Sequence, residues 1–130
     1  MSWGDLVNQI EGGNLEYHQF VGRKIQLLKI NNNVLSIGFK GFVLEISDRG
    51  QSCCEDRYMT CDDDLQSYCG ERFLGFEIRD APDIKDSEVH EVQFLIVNTD
   101  KGSFSIANHN VHNGYYGGFN IGIEVVNANP

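Results

Sequence analysis

Asn108 to Phe119 brings three Asn, two His, two Tyr, one Phe and three Gly into twelve residues. Asn and His carry donors and acceptors, the rings offer faces for stacking, and Gly lets a ligand approach the backbone. Such a mixture suits recognition of a flat polar heterocycle, by stacking and by hydrogen bonds to its edge. A long polar hairpin, turning at Asn113-Gly114 with its tyrosines lying on a sheet, accounts for the same residue types. His109 and His112 also raise metal and acid–base chemistry. The four cysteines, Cys53, Cys54, Cys61 and Cys69, are spaced one, seven and eight apart, which lacks the paired Cys-x2-Cys ligands of structural zinc sites. No metal and no cofactor are expected. Cys54, His109 and one of Asp62, Asp63 or Asp64 make a conceivable nucleophilic set, yet no nucleophile elbow or phosphate loop accompanies them. The three acids are read instead as charge at the N-terminus of a short helix.

The elements that position these groups follow from periodicity. At 130 residues, 41% apolar and 22% charged with 2 Pro, the chain has the length of one domain, 1–130, and the composition of a folded one. A formal charge of −9 argues against long DNA or RNA, whose binding needs many cations. No apolar run approaches a membrane span, and the first ten residues lack the basic start and apolar middle of a signal peptide. A cytoplasmic setting is expected, and with it reduced cysteines.

Strands are expected over residues 25–30, at Leu35, Ile37 and Phe39, and over 42–47, as a meander turning at Asn31-Asn32-Asn33 and Lys40-Gly41. Residues 63–69 fit a short helix ended by Gly70. A strand over 73–79 places Leu74, Phe76 and Ile78 on one face, and the acidic stretch 83–91 reads as a solvated loop. Val92, Phe94 and Ile96 alternate up to a hairpin at Thr99-Asp100-Lys101-Gly102, after which Phe104 and Ile106 return to the same core. Phe119, Ile121, Ile123 and Val125 form the last strand, and residues 2–10 fit a short helix or an arm. The expected class is α+β, mainly antiparallel β-sheet with one or two short helices.

Four short motifs stand in register: Ser52-Cys53-Cys54-Glu55, Asp62-Asp63-Asp64-Leu65 running to Gly70, Asp100-Lys101-Gly102, and His112-Asn113-Gly114-Tyr115-Tyr116. In that order they resemble the phage Thoeris anti-defence sponge family, whose members carry Asp-Cys-Cys-Glu, Gly-Asp-Leu-Asp-Asp-Leu-Ile-Gly, Thr-x-Lys-Gly and Ser-Asn-Gly-Tyr-Tyr-Ser motifs. The resemblance covers residues 51–119. It implies a non-enzymatic homo-oligomer, a dimer or a higher assembly up to a hexamer, that sequesters a cyclised ADP-ribose immune signal in the cytoplasm of an infected bacterium. It further implies a binding site containing Cys53, Cys54, Glu55, Asn113, Gly114, Tyr115 and Tyr116. Ser52 replaces the family's Asp, and Ser105-Ile106-Ala107-Asn108 stands where relatives carry an Arg.

A pyrophosphate needs cationic or backbone donors, so Arg57 and Arg79 are the candidates to replace that Arg. Pairing of either Arg with surface acids is the alternative for each side chain. Asn108, His109 and Asn113 are then expected at the ribose and base edge, with Phe94 or Tyr116 stacking. Arg23 and Lys24 are candidates for a second site taking cyclic oligonucleotides. The alternative from another class is a small enzyme that hydrolyses a nucleotide derivative through His109 and His112.

Overall fold

Alternation of apolar side chains decides which face of each strand turns inward, and residues tolerant of left-handed geometry decide where strands reverse. The computed structural model describes residues 4–6, 19–50, 54–82, 84–85, 89–114 and 117–127. Its strands are β1 (Gly4–Asp5), β2 (Leu27–Asn31), β3 (Val34–Phe39), β4 (Phe42–Asp48), β5 (Asp56–Thr60), β6 (Phe73–Asp80), β7 (Ile84–Lys85), β8 (Val89–Thr99), β9 (Gly102–His112) and β10 (Ile121–Asn127). Two antiparallel sheets result, ordered β1-β10-β4-β3-β2 and β5-β9-β8-β6, with β7 pairing the start of β8.

The expected meander is present as β2, β3 and β4. Its first reversal is made by Asn32 and Asn33 at φ 52° and 61°, a geometry whose twist matches the flanking strands and which Asn adopts more readily than most residues. Leu28, Ile37, Leu44, Ile46 and Ile123 from the first sheet share one buried cluster with Phe76, Leu95, Val97, Phe104 and Ile106 from the second. Each such side chain contributes about 1.5–3 kcal/mol by leaving water. Phe39 joins the cluster through rings on two sides, stacking on Phe20 with centroids 5.1 Å apart and meeting Phe73 edge-on at 5.7 Å.

The chain is mainly antiparallel β, and the expected helical contribution shrinks. Residues 63–69 hold a four-residue 3-10 turn, Leu65–Tyr68, with no side-chain cap at Asp64. The Asp63 carboxylate, expected at a helix start, instead accepts the Ser105 amide across the chain at 2.9 Å. It occupies the flank of β9 beyond the last residue paired with β5. The expected solvated loop over 83–91 is partly strand, since Ile84 and Lys85 pair with His90 and Val89. Leu74 does not share a face with Phe76 as expected. A bulge between Phe73 and Gly75 shifts the register there, so Phe73 and Phe76 are buried while Leu74 stands 48% exposed. Of the expected N-terminal helix or arm, Gly4–Asp5 pairs with β10 and Leu6 is buried; residues 7–10 lie outside those described. Among the described residues no helix is long and apolar enough to cross a membrane.

Candidate functional site

Strand β9 carries most of the polar cluster. Its inward residues run Phe104, Ile106, Asn108, Asn110, His112, all buried. The face that is hydrocarbon at one end is therefore amide and imidazole at the other. Register sets their neighbours. Met59 and Gln93 flank Asn108, Arg57 and Glu91 flank Asn110, and Val89 stands opposite His112.

Arg57 is the hub of this polar end. Its Nη1 donates to Asp48 Oδ1 at 2.8 Å and its Nη2 to Glu55 Oε2 at 2.8 Å, with the three side chains 8%, 9% and 1% exposed. Asp48 belongs to β4, so the pair ties the first sheet to the second. Glu55 Oε2 also accepts from Asn110 Nδ2 at 2.9 Å, and the same amide donates to the Gly118 carbonyl at 3.1 Å. Asp48 Oδ1 further accepts the backbone amides of Gly50 and Asn120. Burial by itself would lower the Arg57 pKa, but hydrogen bonds and charge from Glu55 and Asp48 outweigh it and hold the guanidinium above its ordinary value.

His112 and Glu91 secure the loop after β9. Gly114 N–H donates to His112 Nδ1 at 2.9 Å, which leaves the ring proton on Nε2, where it is given to Glu91 Oε1 at 2.6 Å. Glu91 Oε1 also accepts Gly118 N–H at 2.9 Å. The loop is thus held on both sides of Tyr115 and Tyr116, which lie outside the described residues, as does Cys53.

His109 points to the opposite face of β9 from Asn108, Asn110 and His112. Its ring stacks on Tyr58 at 4.4 Å and 7°, its Nε2 is 2.7 Å from Thr60 Oγ1, and its Nδ1 is 2.8 Å from His90 Nε2. Burial, and secondarily the neighbouring His90, push its pKa below the ordinary value of 6.5. The two histidines considered together in the sequence therefore do not form one acid–base pair. Strand alternation sends them to different faces.

Two cavities flank these groups. The first, about 270 Å³, opens between the β2–β3 turn, the end of β4 and strand β5, and is lined by Asn32, Asn33, Ser47, Arg49, Tyr58 and Asn108 among others. Asn108 is 1% exposed and its Nδ2 has no hydrogen-bond partner among the described residues. Asn33 spans the cavity's edge, its Oδ1 accepting Met59 N–H at 3.1 Å. The second, about 260 Å³, is lined by Thr60, Asp62, Asp63, Phe94, Ser105 and Ala107.

The expected site residues are therefore divided. Glu55, Arg57 and Asn108 gather at the inner polar end, whereas His109 and Phe94 face outward. Arg79 stands opposite Phe94 in register, 69% exposed and 3.8 Å from Glu77. Cys54 is exposed with φ 69°, and Asn113 is exposed beyond the end of β9. Arg23 lies 5.5 Å over the Phe20 ring, and Lys24 bridges through its backbone to Arg72; neither lines the first cavity. Cys61 and Cys69 are free thiols, and burial raises the Cys61 pKa.

Asp48, Tyr58, His90, Glu91 and Asn110 had no assigned role in the sequence. Asn110 carried a signal, lying in the polar segment with the parity of Asn108. Tyr58 and Asp48 carried none, because their importance arises from pairing of β5 with β9 and from the approach of β4.

A family model described as a domain of unknown function (DUF7448) matches residues 18–120. No curated protein and no solved structure matches the chain.

Proposed function

The chain belongs to the DUF7448 family, and from its polar cavity and its motifs we propose that it is a non-enzymatic binding protein that holds a cyclic nucleotide signal intact. The signal class is cyclised ADP-ribose first and cyclic oligonucleotides second, and the setting is phage anti-defence in the host cytoplasm. The observation that carries the reading is the buried, unpartnered Nδ2 of Asn108 beside a cavity of about 270 Å³. An unmade hydrogen bond at a buried amide costs about 1–3 kcal/mol, and a ligand oxygen or ring nitrogen recovers it. The order of the Cys-Cys-Glu and Asn-Gly-Tyr-Tyr motifs supports the ligand class by resemblance.

Arg57 is committed to Asp48 and Glu55, so the cavity is not a strong cation site and suits the nucleoside end. Arg49 also stands on the lining. About 270 Å³ is just below the usual range of ligand pockets, roughly 300–1,000 Å³. Sequestration by a stoichiometric protein needs roughly nanomolar affinity, about −12 kcal/mol. One amide and one small cavity do not supply that, and enclosure between copies of the chain does.

The test is to mix the protein with cyclised ADP-ribose isomers and cyclic di- and trinucleotides, follow melting, then denature and chromatograph the supernatant. A raised melting temperature with unchanged ligand recovered is expected. Linear ADP-ribose in the supernatant overturns the reading in favour of hydrolysis, and no shift with any ligand overturns it in favour of a protein-contact role. Asn108→Leu, which keeps the shape and removes the amide, is expected to weaken binding at least about tenfold, the equivalent of about 1.4 kcal/mol, without lowering the melting temperature of the free protein.

A further inference from the structure

Strand β6 is an edge of the second sheet, at the far end from β5 in the order β5-β9-β8-β6. Its backbone groups alternate between the two sides of the strand. Ala81 N–H donates to the Val92 carbonyl at 3.0 Å, and the register carries that hydrogen-bonded phase back through Arg79 opposite Phe94 and Glu77 opposite Ile96. The N–H and C=O groups of Ile78 and Asp80 therefore point away from β8. Among the described residues, backbone bonds from Gly22 and Arg23 take up the outward groups of Phe73, and none reaches Ile78 or Asp80. Such an edge is a template for another strand. We propose that a second copy of the chain pairs antiparallel with β6 about a two-fold axis at Ile78, joining the second sheets of two copies into one.

Charge fixes the register. Glu77 and Arg79 stand on the outward face, with side chains 51% and 69% exposed. They flank Ile78, so an axis there sets Glu77 of each copy opposite Arg79 of the other. With Ile78 in a hydrogen-bonded pair, these fall at non-hydrogen-bonded positions, where facing Cα atoms come within about 4.5 Å and side chains are closest. Moving the axis one residue either way sets Glu77 opposite Glu77 or Arg79 opposite Arg79, and like charges directly opposite destabilise a strand pair. Three consecutive residues thus carry the self-complementarity that a two-fold contact requires.

Apolar groups complete the contact. Ile78, partly buried against the core, meets its own counterpart across the axis. Leu74, 48% exposed, falls opposite Pro82 of the second copy, where the missing N–H ends the pairing. The first cavity lies against β5, at the opposite edge of the sheet, so this contact is separate from any enclosure of ligand and does not rest on the nucleotide reading.

Sedimentation of the ligand-free full chain over a concentration series tests the pairing, and a concentration-dependent dimer is expected. Ile78→Pro removes the outward N–H at the axis, at a position where an edge strand tolerates proline, and should abolish the dimer. Glu77→Arg and Arg79→Glu each set like charges opposite one another and should raise the dimer dissociation constant about tenfold. An equimolar mixture of these two variants restores opposite charges and should recover the dimer as a heterodimer. Both charged side chains are exposed, so the charge variants decide the matter even if Ile78→Pro does not fold. A chain monomeric at every concentration overturns the pairing in favour of a strand from another protein at this edge. A dimer indifferent to the charge variants, or one that their mixture does not recover, overturns this edge and this register.

Discussion

Arg57 shows how one side chain serves the fold in a place where its type suggests a ligand. With Asp48 and Glu55 at 2.8 Å and all three side chains under 10% exposed, removing the guanidinium strands two carboxylates in a buried setting. Arg57→Met is expected to cost about 3–5 kcal/mol, the range for breaking a buried ion pair, read as a lower urea midpoint. His109 makes a pH prediction. Its folded pKa lies below 6.5, so the folded chain binds fewer protons at this ring than the unfolded chain does. The stabilisation is complete above about 6.5 and is lost as pH falls through the lower folded value. The melting temperature should fall as pH drops below about 6.5, and His109→Gln should flatten that fall. An unchanged slope in the variant would mean that another group carries the acid sensitivity. The sequence offered Glu55, Arg57, Asn108 and His109 as candidates; the structure gathers the first three at one polar end and turns His109 to the other face, and no local signal pairs Arg57 with Asp48, which lies in a strand of the other sheet.

Element by element, local signals account for most strands and fail at two kinds of place. Alternation located β3, β4, β6, β8 and β10, and the Asn turn and the Thr99–Gly102 reversal were readable because particular residues tolerate their geometry. β5 was missed because Asp56–Thr60 has little alternation of its own and is a strand through its pairing with β9. The bulge at Phe73/Gly75 inverted one expectation, since one extra residue moves a side chain to the other face. Leu74→Ser is therefore expected to change stability by less than about 0.5 kcal/mol, whereas Phe76→Ala costs about 3–5 kcal/mol, both measured by denaturant unfolding. The loop after β9 offers a sharper case. A Cβ at Gly117, which has φ 155°, would stand 2.6 Å from Glu91 Oε1 and 3.1 Å from His112 Nε2. Gly117→Ala should disrupt the Glu91–His112 contact, seen as faster hydrogen exchange at the Gly114 and Gly118 amides, with the core amides unaffected.

At the scale of the whole molecule, two antiparallel sheets enclose one apolar core and leave one end of it polar. Ligand at about 100 times its dissociation constant should stabilise the protein by about 2.7 kcal/mol, and light scattering of the loaded protein should report a dimer or a larger assembly. A monomer saturated at nanomolar ligand would defeat enclosure between copies while leaving binding intact. The sequence by itself determined the strand-rich class, several turns and the stretch in which polar groups concentrate, because periodicity and turn chemistry are local and act within a few residues. Only the tertiary structure decided that Asn108 and His109 part to opposite faces as members of one strand. It likewise decided that Arg57 pairs with Asp48 and Glu55, and that His90 meets His109. Those outcomes depend on register and on the stacking of two sheets, which all the strands set together and no short segment encodes.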